Sequence, residues 1–216
     1  MKRAIQMMGG AIEPLSIRAV PFYLSQPSDV FARGVMHMPE DVADLIARGT
    51  RARREQRLND AYAAYQEAAE LSRSAGLEQH LVSALVGLGQ IQRDRGYLDH
   101  AQQHYADALA LCRHHGDPLA IAHTARHLGD IYRENGHTEQ ARTLLAEAIT
   151  VYRQNLDTKV LDLANAIRPF ALLMIEMGDV DAARPLLQEA LVLYSALDLT
   201  GGVAECSTQL AKLVTS

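Results

Sequence analysis

No apolar run in the 216 residues approaches the roughly 18 that a membrane-spanning helix requires, so a membrane partner is not expected. Cysteine is scarce: Cys112 and Cys206 stand alone, without metal or redox spacing, which fits a reducing compartment. Tryptophan is absent and aromatic residues make up only 5%. There is no phosphate loop and no nucleophile–base constellation; Gly9-Gly10 and Gly201-Gly202 are lone pairs, too sparse for a nucleotide motif. The first twenty residues carry Lys2, Arg3 and Arg18 but lack the continuous apolar core of a signal peptide. A cytoplasmic location is the expectation, with an organellar presequence, or a native start at Met36 or Met38, as alternatives. The net charge of −5 is mild and argues against wholesale nucleic-acid binding. These absences point to a non-catalytic chain without cofactor.

What is present is helix-forming composition and a repeat. Alanine, leucine, glutamate, glutamine and arginine dominate, favouring helix over sheet. Residues 125–141 read ARHLGDIYRENGHTEQA, with glycines at 129 and 136 inside an otherwise helical pattern, each costing about 1 kcal/mol against alanine in a helix interior. Shifted back by 40 residues the stretch lands on LVGLGQIQRDRGYLDHA, where Gly89, Gly96 and Ala101 keep register. Shifted forward by 42 it keeps Gly178 and Ala183; shifted back by 80 it keeps Gly49 and Ala61, with Gln56 in place of the second glycine. Tyr65, Tyr105, Leu145 and Leu187 follow the shared alanine by four residues, and Ala68, Ala108, Ala148 and Ala190 come three later. Each unit reads as two antiparallel helices. In the third, Asp117-Pro118 supplies a cap and a first-turn proline, Asn135-Gly136 ends the first helix, and Thr138 can cap the second. Gly129 makes room where the helices cross, and Gly136 makes the turn.

This pattern resembles the tetratricopeptide repeat, whose signature runs W–LG–Y–G/A/S–A–F/Y–A–P. Unit three matches it through Leu128-Gly129, Tyr132, Gly136, Ala141, Leu145 and Ala148, and unit two through Leu88-Gly89, Gly96, Ala101, Tyr105 and Ala108. The 40–42-residue spacing is similar to the longer repeats of Leu-Gly-Asn repeat proteins and kinesin light chains. Gln90 and Asp130 stand where that subclass often carries asparagine. The resemblance implies an all-α, right-handed superhelical solenoid of four helix pairs, at about 39–76, 77–116, 117–156 and 157–197. A capping helix at 201–214 completes a domain spanning 39–216, preceded by an irregular extension over 1–38. Pro169, inside the fourth unit's first helix, is expected to kink it near Asn165.

Carried over from such arrays, the concave face is built by the first helix of each pair. The candidate ligand-binding residues are Arg53, Gln90, Arg93, His123, Arg126, Asp130, Arg133, Asn165 and Arg168. Arg53, Arg93 and Arg133 repeat at strict 40-residue spacing, as a basic stripe whose planar forks suit carboxylates. Arg126 and Asp130, four apart on one helix, are a candidate internal pair. The expected partner is therefore an acidic protein or peptide segment held by an adaptor. A sensory module that closes around a small peptide or metabolite is the alternative, and self-association is left open. The few aromatics on this face argue against RNA. A chaperone-tail clamp is not expected, because Ile46 and Thr50 occupy the first repeat's places. The pairs His100/His104 and His123/His127 have spacing that could hold a metal but lack an intervening glutamate base. They are read as surface, and His114-His115 as a favourable helix end. No metal site is expected.

Overall fold

Asp117 shows how the chain begins a helix: its carboxylate accepts from the backbone N–H groups of Leu119 and Ala120, with Pro118 in the first turn. The helix ends at Glu134, where Gly136 takes φ +76°. There the His137 N–H bonds the Tyr132 carbonyl and the Gly136 N–H bonds that of Arg133, closing a Schellman turn. The same turn recurs at Gly96 and Gly178, and at Gln56, which adopts φ +60° without glycine's freedom. The turn is so tight that the next helix already starts at Thr138, behind His137. Thr138 therefore does not cap it, contrary to expectation; its hydroxyl donates back to the Gly136 carbonyl at 3.4 Å.

The computed structural model describes residues 41–214; the expected extension over 1–38 lies outside the described residues. Among those described, nine helices follow one another without a strand. They are α1 (Val42–Arg54), α2 (Leu58–Ala75), α3 (Glu78–Asp94), α4 (Leu98–His115), α5 (Pro118–Glu134), α6 (Thr138–Gln154), α7 (Val160–Glu176), α8 (Val180–Ala196) and α9 (Thr200–Lys212). Each odd-numbered helix up to α7 packs on the even one that follows, each even one packs on the next odd one, and α9 packs on α8. Inner helices also touch, α1 on α3 and α5 on α7. The result is an all-α repeat solenoid with one continuous core.

The repeat positions are the core positions. Ala61, Ala101, Ala141 and Ala183 are fully buried, as are Ala68, Ala108, Ala148 and Ala190. Tyr65, Tyr105, Leu145 and Leu187 fill the space between the helices of each pair. The glycine at the crossing makes room for this side chain, not for the opposing backbone: a Cβ on Gly129 would stand 2.8 Å from Leu145 Cγ, and one on Gly89 2.9 Å from the Tyr105 ring. Pro169 is buried within α7, and the helix runs through it to Glu176.

Candidate functional site: a polar cleft on the inner helices

The first helices of the four pairs share a face, because residues 40 or 42 apart in sequence occupy the same turn of successive repeats. Between them lies a cleft of about 820 Å³. Eight of the nine candidate residues line it: Arg53, Gln90, Arg93, His123, Arg126, Asp130, Asn165 and Arg168. Arg133 does not line it. The cleft also takes in residues that sequence reasoning passed over, among them Tyr65, Gly87, Thr124, His127 and Asp162. Gly87 and His127 stand two residues before the repeated glycines 89 and 129, so the 40-residue register could have flagged both.

The arginine column is not the free basic stripe that spacing alone suggested. Arg53 holds Asp94 bidentately, Nε to Oδ2 at 2.7 Å and Nη2 to Oδ1 at 3.2 Å. Arg93 donates to Asp130 at 2.6 Å and to Glu134. Arg133 donates to Glu176 at 2.7 Å and to Asp130 at 3.0 Å. Each arginine thus reaches an acid one repeat further on, and a ladder of ion pairs ties α1 to α3, α3 to α5, and α5 to α7. Burial works against the Arg93 charge, but Asp130 and Glu134 outweigh it and hold the guanidinium above its usual value. Arg168 is likewise paired, with Glu205 of α9. Asp130 is not the partner of Arg126, as its position on the same helix suggested. It sits only 5% exposed between Arg93 and Arg133, which reach it from α3 and from the next turn of α5.

Arg126 is the exception. It is buried on α5, yet it lines the cleft. Among the described residues no carboxylate lies within salt-bridge distance of it, and its Nε has no hydrogen-bond partner. A terminal nitrogen donates to His127 Nε2 at 2.8 Å. Because arginine only donates, that ring nitrogen accepts, which puts the imidazole proton on Nδ1. His127 stacks on Tyr105 at 5.1 Å between centroids and meets His123 edge-on at 4.9 Å. Burial, then the Arg126 charge, pushes the His127 pKa well below its usual value, and the same two causes lower His123 to about 4. Both rings are neutral at pH 7, so they are cleft walls and hydrogen-bonding groups rather than the surface pair expected from sequence. Burial raises Tyr152 to about 12, with the Arg126 charge opposing it. Asn165 accepts from the Tyr194 hydroxyl at 2.8 Å through Oδ1, which leaves its amide N–H groups to the cleft.

Glu78, His114 and His115 bring one potential metal-ligand atom each within 4.8 Å of one another. None of the three lines the cleft. His115 contacts the Glu78 carboxylate at the open end of the α3–α4 pair, opposite the turn that joins the two helices. Both thiols are buried, and burial raises their pKa values, which disfavours the nucleophilic thiolate. No helix of the described residues is long and apolar enough to cross a membrane.

Helix pairs, Schellman turns and the buried Ala–Tyr/Leu–Ala register define a tetratricopeptide-type repeat protein. The sequence matches the MalT-like TPR region over residues 24–200, and the chain belongs to that family. Its fold is similar to that of BtubC (BKLC) from P. vanneervenii, with a TM-score of 0.64 and 17% identity over 73% of this chain and 64% of that one. The chain thus spans under two thirds of that relative. The apo form of RapI matches with a TM-score of 0.71 and 13% identity, over 82% of this chain and 68% of that one. A putative kinesin light chain from Podosopora anserina with nearly identical TPR-like repeats matches at 0.63 and 12%, over 83% and 93%. At these identities the likeness is one of fold. No curated protein matches the sequence.

Proposed function

We propose that the chain is a non-catalytic binding module that holds an extended peptide segment of a partner protein in the inner cleft. The observation that carries this reading is the cleft itself. It crosses all four inner helices and is lined by polar groups on rigid helical positions, where a segment of several residues can make repeated contacts. The ion-pair ladder makes the walls a fixed scaffold, which limits the entropy lost on binding. The reading places Arg53, Gln90, Arg93, His123, Arg126, Asp130, Asn165 and Arg168 around the ligand. Arg133 acts beneath them by holding Asp130.

The test is affinity capture from native lysate with the full chain and two variants. Ser83→Trp fills the cleft from an exposed position on α3, and Gln66→Trp places the same bulk on an exposed position of α2. A partner captured by wild type and Gln66→Trp but lost with Ser83→Trp supports the reading. Equal capture by all three places recognition on another surface and refutes it. A rigid adaptor further predicts no compaction when the partner peptide is added, measured by small-angle scattering.

A further inference from the structure

We infer that the cleft seats one carboxylate, on the buried Arg126. The inference deepens the peptide-binding reading and rests on it. Three observations combine. Arg53, Arg93, Arg133 and Arg168 are committed to Asp94, Asp130, Glu134, Glu176 and Glu205. Arg126, the one buried arginine of the cleft, is left without an acid by these pairings; Arg54, which also lines the cleft without an acid, is exposed to solvent. Its immediate neighbours, His123 and His127, are neutral, so neither supplies a competing charge.

A buried guanidinium without a counter-ion is an unfavourable state that a ligand carboxylate relieves. The planar fork matches a carboxylate in two parallel charge-assisted bonds. The amide of Asn165 lines the same cleft and can donate to the carboxylate as well. A further negative charge beside the seat would meet Asp162 on the cleft wall and the acids of the ladder, and the other arginine outside the ladder, Arg54, stands at the exposed α1 end of the cleft. Ile46 of α1 and Val82 and Val86 of α3 add apolar lining, which suits uncharged side chains flanking the carboxylate. The seated group is either a chain-terminal carboxylate or a lone Asp or Glu side chain.

Affinity selection with mass-spectrometric readout separates these cases, using four pools of N-acetylated octapeptides randomised over uncharged residues. The first carries one central glutamate and a C-terminal amide, and the second only a free C-terminal carboxylate. The third carries no charge, and the fourth carries five consecutive glutamates and an amide. The full chain is expected to retain members of the first or second pool, and which of the two responds identifies the source of the carboxylate. Arg126→Gln is expected to weaken that retention by about 10- to 100-fold, the worth of hydrogen bonds to a charged group. Retention led by the third or fourth pool, or unchanged by Arg126→Gln, overturns the single-carboxylate seat. If Ser83→Trp still blocks such retention, the peptide-binding reading survives. Retention from no pool overturns both. Folding is checked with Arg126→Met, which keeps most of the buried stem without its charge. Its melting temperature should equal or exceed that of wild type, and a clear fall would show that Arg126 has an internal counter-ion and overturn the inference.

Discussion

Replacing Asp130 by asparagine tests the ladder at its most connected point. The Asp130 carboxylate is 5% exposed and takes Arg93 at 2.6 Å and Arg133 at 3.0 Å. Removing one partner of a buried ion pair costs about 3–5 kcal/mol, because the other charge stays buried. Here both arginines keep a second acid, Glu134 and Glu176, but those are 26% and 47% exposed and screened accordingly. The expected loss is therefore about 2–3 kcal/mol, or roughly 5–10 °C in melting temperature for a chain of this size. The control is Glu147→Gln, which breaks the exposed Arg113–Glu147 pair at 2.8 Å and should cost at most about 0.5 kcal/mol. Urea unfolding followed by circular dichroism and by tyrosine fluorescence, the chain having no tryptophan, gives both midpoints. Because Asp130 links α3 to α5, its loss should also loosen coupling between neighbouring repeats, visible as a lower slope or separated transitions. If Asp130→Asn costs no more than Glu147→Gln, the ladder is a surface ornament and the account of the rigid cleft wall fails.

Three further outcomes follow from single positions. Gln56 occupies the left-handed turn that glycine fills at 96, 136 and 178; Gln56→Gly should stabilise the chain by about 0.5–1 kcal/mol, strain relief outweighing backbone entropy, and a lower urea midpoint would contradict it. Gly129→Ala gains helix propensity but drives a Cβ to 2.8 Å from Leu145, which is fully buried; a net loss of about 1–2 kcal/mol is expected from the same melts. His123 and His127 have folded pKa values below the ordinary 6.5, so they contribute stability above pH 6.5 that is lost as pH falls towards 4. For His123 this is about 1.4 kcal/mol per pH unit and roughly 3 kcal/mol in all; His123→Gln should flatten the urea midpoint between pH 6.5 and 5, and an unchanged slope would refute the assignment.

The fold was legible because its determinants repeat. Small residues at the helix crossings and glycines at the turns recur every 40 or 42 residues, and no tertiary context had to be guessed to align them. Local caps were less legible. Asp117 with Pro118 caps α5 as read, whereas Thr138 missed its role by one residue because a three-residue turn leaves His137 at the helix entrance. The cleft's membership followed from the register, but its electrostatics did not. Arg53, Arg93 and Arg133 were read as a column in isolation. Their partners Asp94, Glu134 and Glu176 form a second column under the same shift, 41, 41 and 43 residues on. Pairing across repeats depends on how far one inner helix is rotated against the next, and hydrophobic periodicity does not encode that rotation. Arg126 was hidden for the same reason: only when Asp130 is placed on its two other arginines does Arg126 stand without an acid.

The two kinds of charge in the array perform different work. On the even-numbered helices, Arg113–Glu147 and Arg153–Glu189 bridge α4 to α6 and α6 to α8, matching the inner ladder across consecutive repeats. At the end of the array Arg168 reaches Glu205, and Arg184 donates to the Leu213 carbonyl at 2.8 Å, fastening α9 over the last pair. The inner ladder, with Asp130 5% exposed, is the stronger of the two sets, and the exposed outer bridges add little. On the proposed reading of a rigid binding module, selectivity comes from chemistry within the cleft rather than from closure around the ligand. The bracing uses up Arg53, Arg93 and Arg168 of the cleft, and Arg133 beside it. The buried charge that the bracing does not consume is on Arg126, which is why the proposed carboxylate seat falls there.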